Sequence, residues 1–547
     1  MSLSYKILTI DSVKKYILNI KEIKDYLENE DIEVSEIGDG NLNFVYIVTN
    51  RTNKKSLIVK QAVPYLRIAG EGFSLSRERM NYEIRALEFY SKLVPNLVPK
   101  IYYADESMSL IIMQNLSKHI IMRKGLIDTI YYPNFAEQIS TFLANTLFFS
   151  SSLYLSSKEK RELIYRFNKN TELCKLTEDF VFTLAFMEDK TNDINLDLLN
   201  EAKEFFKESD YKKNILKLKY IFMTQTDALL HGDLHTGSIM LNREESFVID
   251  PEFAFVGAFG FDIGALIANL INSYISHFYR SGNREYQEWI LDTIREIYSK
   301  FESKFLELWE KYPNSALLKD GFIDKEELEE FKKEFMQNIF SQSVGFAGCK
   351  IARRVFGIAG VEDIRGIEDR EKRKEAELMA LRVGKRLILN YENIKSVDEL
   401  ISYCNDLHQS QQIANEEKKI LDFLSEKDSL NPIEIRASKS SLQVLIENMI
   451  GKCKKILKEF NCPIIPQRGR DGLFILYEVG AIDTETYSNL VGAIGFRNSM
   501  IHDYMQFRED ILIDIVKSKK YIDIYNFVVS KPQYSSVVLQ RIENFSF

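Results

Sequence analysis

Between residues 32 and 62 apolar positions gather in three short runs, "IEVSEIGDG", "NFVYIVTN" and "SLIVKQA". They are rich in β-branched side chains and are parted by "GDGNL" and "NRTNKK". Short β-branched runs of this kind predict strands, and the Gly/Asn/Asp-rich intervals predict turns. The pattern then changes: in "SRERMNYEIRALEFYSKLV", Met80, Ile84, Leu87 and Leu93 fall near one face of a helix. Two more strand-like runs follow, "KIYYADES" and "MSLIIMQNL". From about 134 to 390 long helical patterns dominate, broken by "HGDLHTGSIM" (231–240) and "FVIDPEFAF" (247–255). A polar stretch begins near Ser396, and "NEEKKILDFLSEKDSLNPIEIR" reads as a helix, a loop and a new unit. Beyond it the pattern is almost all helical. These shifts divide the chain into 1–115, 116–395, a linker with a first helix at 396–435, and 436–547, an α+β protein followed by an all-α unit.

Composition narrows this only a little. The 547 residues exceed one core and suggest roughly two to four domains. Apolar residues at 45% and charged residues at 28% fit a globular protein. A net charge of −8 argues against a broad nucleic-acid-binding surface. The five cysteines are scattered with no CxxC pair, which favours reduced thiols and a cytoplasmic protein. The N-terminal stretch lacks the pattern of a signal peptide, and the apolar run "GALIANLI" is too short to span a bilayer, so no membrane association is expected.

The interrupting segment sets Asp233, Asp250 and Glu252 beside apolar runs. Pro251 disfavours helical geometry at Asp250 and predicts an extended residue there. In extended chain, residues two apart point the same way, so Asp250 and Glu252 converge on one hard cation. That suits Mg²⁺, which takes one or two carboxylates together with phosphate oxygens and water. Asp233, brought alongside by a strand-turn-strand, is placed to orient a hydroxyl and accept its proton. Upstream, Gly38, Asp39, Gly40, Asn41 and Asn43 form a small-residue hairpin loop able to lay N–H groups over phosphates. Lys60 ends its strand as a point charge for phosphate. Glu83 in the next helix is the candidate to hold it, with Glu78 as a rival. Met113, Gln114 and Leu116 lie in a strand whose backbone suits an adenine edge. His231 and His235 read as structural loop residues, since no Cys or third His completes a zinc site. Asp262 reads as a helix N-cap that also braces the loop.

"HGDLHTGSIM" followed by "IDPEFAFVGAFGFDIGA" resembles the methylthioribose kinases of the protein-kinase-like superfamily, which also holds the aminoglycoside and choline kinases. "GDGNLNFVY", "SLIVKQAVPYLR", "TEDFVFT" and "GFAGCKIARRVFGIAGVEDI" match as well, and the resemblance covers about 1–395. Ser238 stands where the wider superfamily has Asn, and Asp-Pro-Glu replaces Asp-Phe-Gly; both departures are typical of methylthioribose kinases. The resemblance implies a bilobal fold, with an antiparallel β N-lobe and a mostly helical C-lobe. It implies phosphorylation of the 1-hydroxyl of 5-methylthioribose by ATP, a step of methionine salvage. Asp233 is then the catalytic base, and Asp250, Glu252 and Ser238 face Mg²⁺. Arg353 and Arg354 match the family's paired arginines beside sugar and phosphoryl. Phe73 stands in a loop where the family commonly has Trp, which suggests a closing lid. Another small-hydroxyl kinase (aminoglycoside, choline or homoserine type) is the alternative within the superfamily.

The remaining residues contain "VGAIGFRNSMIHDYMQFREDILIDIV", with Arg497, His502 and Tyr504. This is similar to the R-x4-H-x-Y signature of HEPN-type minimal ribonuclease toxins. The resemblance implies a homodimer with a composite RNA cleft. It also implies a partner nucleotidyltransferase that modifies the tyrosine. On an ideal helix Arg497 and His502 lie about 140° apart, so one face does not hold both. A toxin–antitoxin-like chain, in which the kinase half restrains a ribonuclease, is the alternative of a different class.

Overall fold

A computed structural model describes residues 5–28, 31–37, 43–65, 74–319, 321–466, 468–502, 508–530 and 534–546, without the side chains of 405–412, 501 and 502. Gly38, Asp39, Gly40, Asn41, Phe73 and Tyr504 lie outside the described residues. The chain divides into two compact units, Met1–Cys404 and Asn405–Phe547.

The first unit opens with two short helices, Ile10–Leu18 and Lys21–Leu27. A five-stranded sheet follows: β1 (Ile32–Glu36), β2 (Asn43–Asn50), β3 (Ser56–Ala62), β4 (Ile101–Asp105) and β5 (Leu110–Gln114). Its order is β1-β2-β3-β5-β4, and neighbouring strands run antiparallel. Alternation assigns its faces. Leu57 and Val59 of β3 join Tyr46, Val48 and Ile112 against Val13, Ile17 and Ile23 of the opening helices. Lys60 pairs in register with Val45 and Ile111, so by the same alternation it takes the opposite face. The helix Arg79–Leu93 supplies Glu83 to meet it, burying Met80, Ile84 and Leu87 as its period requires.

Beyond β5 the unit is mainly helical. Small sheets interrupt it: β6 (Ile120–Ile121), β8 (Ile239–Leu241) and β9 (Ser246–Val248) form one, and β7 (Ala228–Leu230) with β10 (Phe255–Gly257) forms another. The long helices Gly260–Arg280, Lys325–Phe356 and Arg370–Asn390 cross at close range. At one crossing a side chain on Gly348 would meet the Gly384 carbonyl at 2.8 Å, and one on Gly384 would meet the Gly348 carbonyl at 2.9 Å. Only glycine permits that approach, and it sets the depth at which Lys325–Phe356 carries its last turns into the molecule. Among the described residues no helix is long and apolar enough to cross a membrane. All five cysteines are unpaired.

The second unit is helical. The helices Pro432–Glu459, Gly469–Glu478, Thr484–His502, Glu509–Lys517, Tyr521–Val529 and Ser536–Glu543 follow one another. Leu445, Met449, Leu473, Leu476, Leu490, Leu512 and Val516 belong to its buried core. Asn431 and Glu434 form a capping box before a Pro at the first turn of Pro432–Glu459. The division at Cys404 falls inside the helix Val397–Ser425.

Candidate active site

The loop after β7 is bent by Gly232, whose φ is +85° and whose Cβ position lies 2.1 Å from the Phe253 carbonyl oxygen. No side chain fits there. Asp262 holds the bend: its carboxylate accepts from the backbone N–H of His231 (2.6 Å) and of Gly232 (3.0 Å). The helix starts at Gly260 with Phe259 as its cap residue, so Asp262 is not the expected N-cap; it sits inside the first turn. Its bracing role is as expected. Burial pushes its carboxyl up, and His231 and these N–H groups oppose the rise.

His231 lies 2.8 Å from the Ile249 carbonyl through Nε2, and its Nδ1 accepts from the Asp233 N–H at 3.3 Å. The carbonyl can only accept, so Nε2 carries the proton. His235 accepts the Gly237 N–H on Nδ1 at 2.8 Å and places Nε2 3.3 Å from Asp233 Oδ2. Burial brings its pKa down to about 4 against the pull of Asp233, so it stands neutral at pH 7. Both histidines make hydrogen bonds within the loop, and His235 also reaches Asp233.

Asp233 is 23% exposed at its side chain, open enough for a substrate. Burial alone would raise its pKa, but Lys350, His235 and Arg354 hold the carboxyl well below the usual range. Lys350 donates to Oδ1 at 3.0 Å. The sequence reading missed this lysine; it sits three and four residues before Arg353 and Arg354, in the very run that names the arginines. All three are buried. Arg354 donates to the Ala359 carbonyl at 2.8 Å, and the Nε atoms of Arg353 and Arg354 have no hydrogen-bond partner. Arg123, 3.4 Å from Asp363, adds a further cation whose charge reaches both arginines. Donors left unmatched in a buried cluster suit an anion.

Lys60 pairs with Glu83 through both carboxylate oxygens at 2.8 Å and also with Asp250; Glu78 instead stands at the cap position just before the helix. Burial would strip the Lys60 proton, but Asp250 and Glu83 keep it charged. Asp250 is held down by Lys60 against its own burial. Its backbone corrects the expectation of an extended residue. With φ 62° and ψ 46° it is left-handed, and Pro251–Phe253 form a 3₁₀ turn. Asp tolerates that region where most residues do not, so the proline's bias away from the right-handed helix is met in a different way. The simple alternation of Asp250 with Glu252 therefore does not apply. Glu252 is buried and takes its contacts on Oε2, from Asn43 at 2.9 Å and Arg79 at 3.5 Å. Asn43 thus braces a carboxylate rather than lying free in the hairpin. Asp250 stays 44% exposed and, with Glu252, offers the hard oxygen donors that a divalent cation takes. Ser238 spends its hydroxyl on the Asp233 carbonyl at 3.0 Å. At the end of β5 and just beyond it, Met113 and Leu116 are buried, the Gln114 N–H donates to the Lys100 carbonyl and the Leu116 carbonyl accepts from the His119 N–H.

In the second unit, Arg497 reaches Glu447 through Nη2 at 2.9 Å, from the helix that ends at His502.

Residues 176–297 match the model of the phosphotransferase enzyme family, and residues 411–530 that of the ribonuclease HepT-like family. The chain is 41% identical over 379 residues to methylthioribose kinase 1 of Oryza sativa subsp. japonica, covering 68% of this chain and 88% of that one. It is 40% identical over 376 residues to the methylthioribose kinase of Geobacillus sp. (strain WCH70), covering 69% and 90%. A solved choline kinase from Cryptosporidium parvum aligns over 72% of this chain and 98% of its own, with a TM-score of 0.38 and 14% identity. The kinase relatives are matched along nearly their whole length, and the HepT-like match lies beyond them: the chain belongs to the methylthioribose kinase family.

Proposed function

We propose that the first unit transfers the γ-phosphoryl of ATP to the 1-hydroxyl of 5-methylthioribose. The observation that carries this is Asp233, ionised and part-exposed, beside Lys350 and the buried, under-satisfied Arg353 and Arg354. The loop 38–44 and Lys60 hold the phosphates, with Glu83 fixing the lysine, and the stretch 111–116, at the end of β5, meets the adenine. Asp250 and Glu252 would hold Mg²⁺, which supplies charge neutralisation between the phosphates. Asp233 orients the hydroxyl and takes its proton, while the arginines offset charge on the transferred group. The test is ADP release with Mg-ATP and 5-methylthioribose, beside ribose, choline and kanamycin. Turnover confined to methylthioribose is expected; turnover with choline or kanamycin instead would favour the superfamily alternative.

For the second unit we infer an RNA-directed, dimeric role, supported by the HepT-like match and by Arg497 at the motif's first position. Glu447 holds Arg497 in the single chain, and its carboxyl is lowered chiefly by that hydrogen bond. RNA cleavage by the chain that disappears in His502→Ala would support this. Undiminished cleavage in that variant, or none in the native chain, would count against a ribonuclease.

A further inference from the structure

We propose that Lys350 is the positioning residue of the phosphoryl-transfer site: its buried ammonium fixes the Asp233 carboxylate through Oδ1 while His235 holds Oδ2. This rests on the kinase reading of the same site. The lysine side chain is 2% exposed, and its Nζ donates to Oδ1 at 3.0 Å. His235 Nε2, protonated because its Nδ1 accepts from Gly237, stands 3.3 Å from Oδ2. Held at both oxygens, the carboxylate cannot turn about its last bond, yet each oxygen keeps a lone pair for the substrate hydroxyl. A near-attack geometry needs that constraint, since a shift of about 1 Å in a reacting group can cost about a hundredfold in rate.

Purely structural bracing explains Lys350 poorly. A buried ammonium is costly, and helix packing alone would be served by an apolar side chain. Lys350 instead packs over the Phe261 ring, 4.8 Å from its centre, and sends its charge to Asp233. The groups facing it are Asp233 from the loop, with His235 on that carboxylate's other oxygen, Asp262 from the helix Gly260–Arg280, and Arg353 and Arg354 from its own helix. Burial first, and then the two arginines, bring its pKa down to about 8 against the pull of Asp233. The grip therefore loosens in mildly alkaline solution.

The test uses the full chain with Lys350→Met, Lys350→Gln and Lys350→Arg. Crystal structures of Lys350→Met should show the Asp233 carboxylate rotated away; an unmoved carboxylate overturns the proposal, and this arm needs no substrate. In turnover, Met and Gln should lower kcat by about tenfold or more, with KM for ATP little changed. Arg should restore most of the loss. Loss confined to KM, or no rescue by Arg, overturns it. Native kcat should decline above about pH 8, and Lys350→Arg should keep its plateau further; identical declines count against it. If the native chain turns over no panel substrate, the substrate assignment fails, while the crystallographic arm still decides the role of Lys350.

Discussion

Asp233 shows how little a single residue does alone. Its low pKa comes from charges on a helix far along the chain, and its place comes from a glycine bend tied to Asp262. Asp233→Ala should therefore abolish turnover while ATP affinity, which the proposed function assigns to Lys60 and its partners, changes less than about threefold; equilibrium binding of ATP beside the kinetics checks this. His235 makes a second, pH-dependent statement. Its folded pKa, about 4, lies below the ordinary 6.5, so the unfolded chain binds the extra proton first as pH falls. Stability is expected to drop between pH 6.5 and 4, and His235→Gln should flatten that part of the urea-denaturation profile. Most of the pieces were legible from spacing: a lysine, which the fold sets inside β3 rather than at its end, a helix glutamate, a loop aspartate. Lys350 was not, because in "GFAGCKIARR" a lone lysine in an apolar helix reads as a solvated residue until the fold buries it. Nor was the left-handed Asp250, since the proline rule excludes one conformation without naming the one adopted.

Among elements, β-branched runs parted by turns located the sheet, and helical patterns located the helix Arg79–Leu93 and the helix-rich remainder. They said nothing of how helices cross. The Gly348–Gly384 contact is a property of two backbones separated by many residues, and only packing reveals it. Gly348→Val should push Lys325–Phe356 outward and cost about 3 kcal/mol, seen as a lower Tm. It should also cost activity, because the same helix carries Lys350 and both arginines. An alanine replacement of exposed Leu216 on a neighbouring helix should leave both nearly unchanged. The register of Lys60 between Val45 and Ile111 shows the reverse case, in which alternation along three strands suffices to place a charge.

For the whole molecule, each unit has its own buried core, so scanning calorimetry should resolve two unfolding transitions. ATP with Mg²⁺ should raise only the one belonging to the kinase unit, by mass action on its folded state. A single transition, or an equal shift of both, would contradict that independence. The order of the units has a consequence for gene expression. A ribosome releases the kinase segment first, and domains fold as they emerge. A stop codon or frameshift beyond residue 404 leaves the first unit's segment intact, and no lesion of that kind removes it while sparing the second. Messages truncated beyond that point would thus yield the kinase-family unit without the appended helical unit.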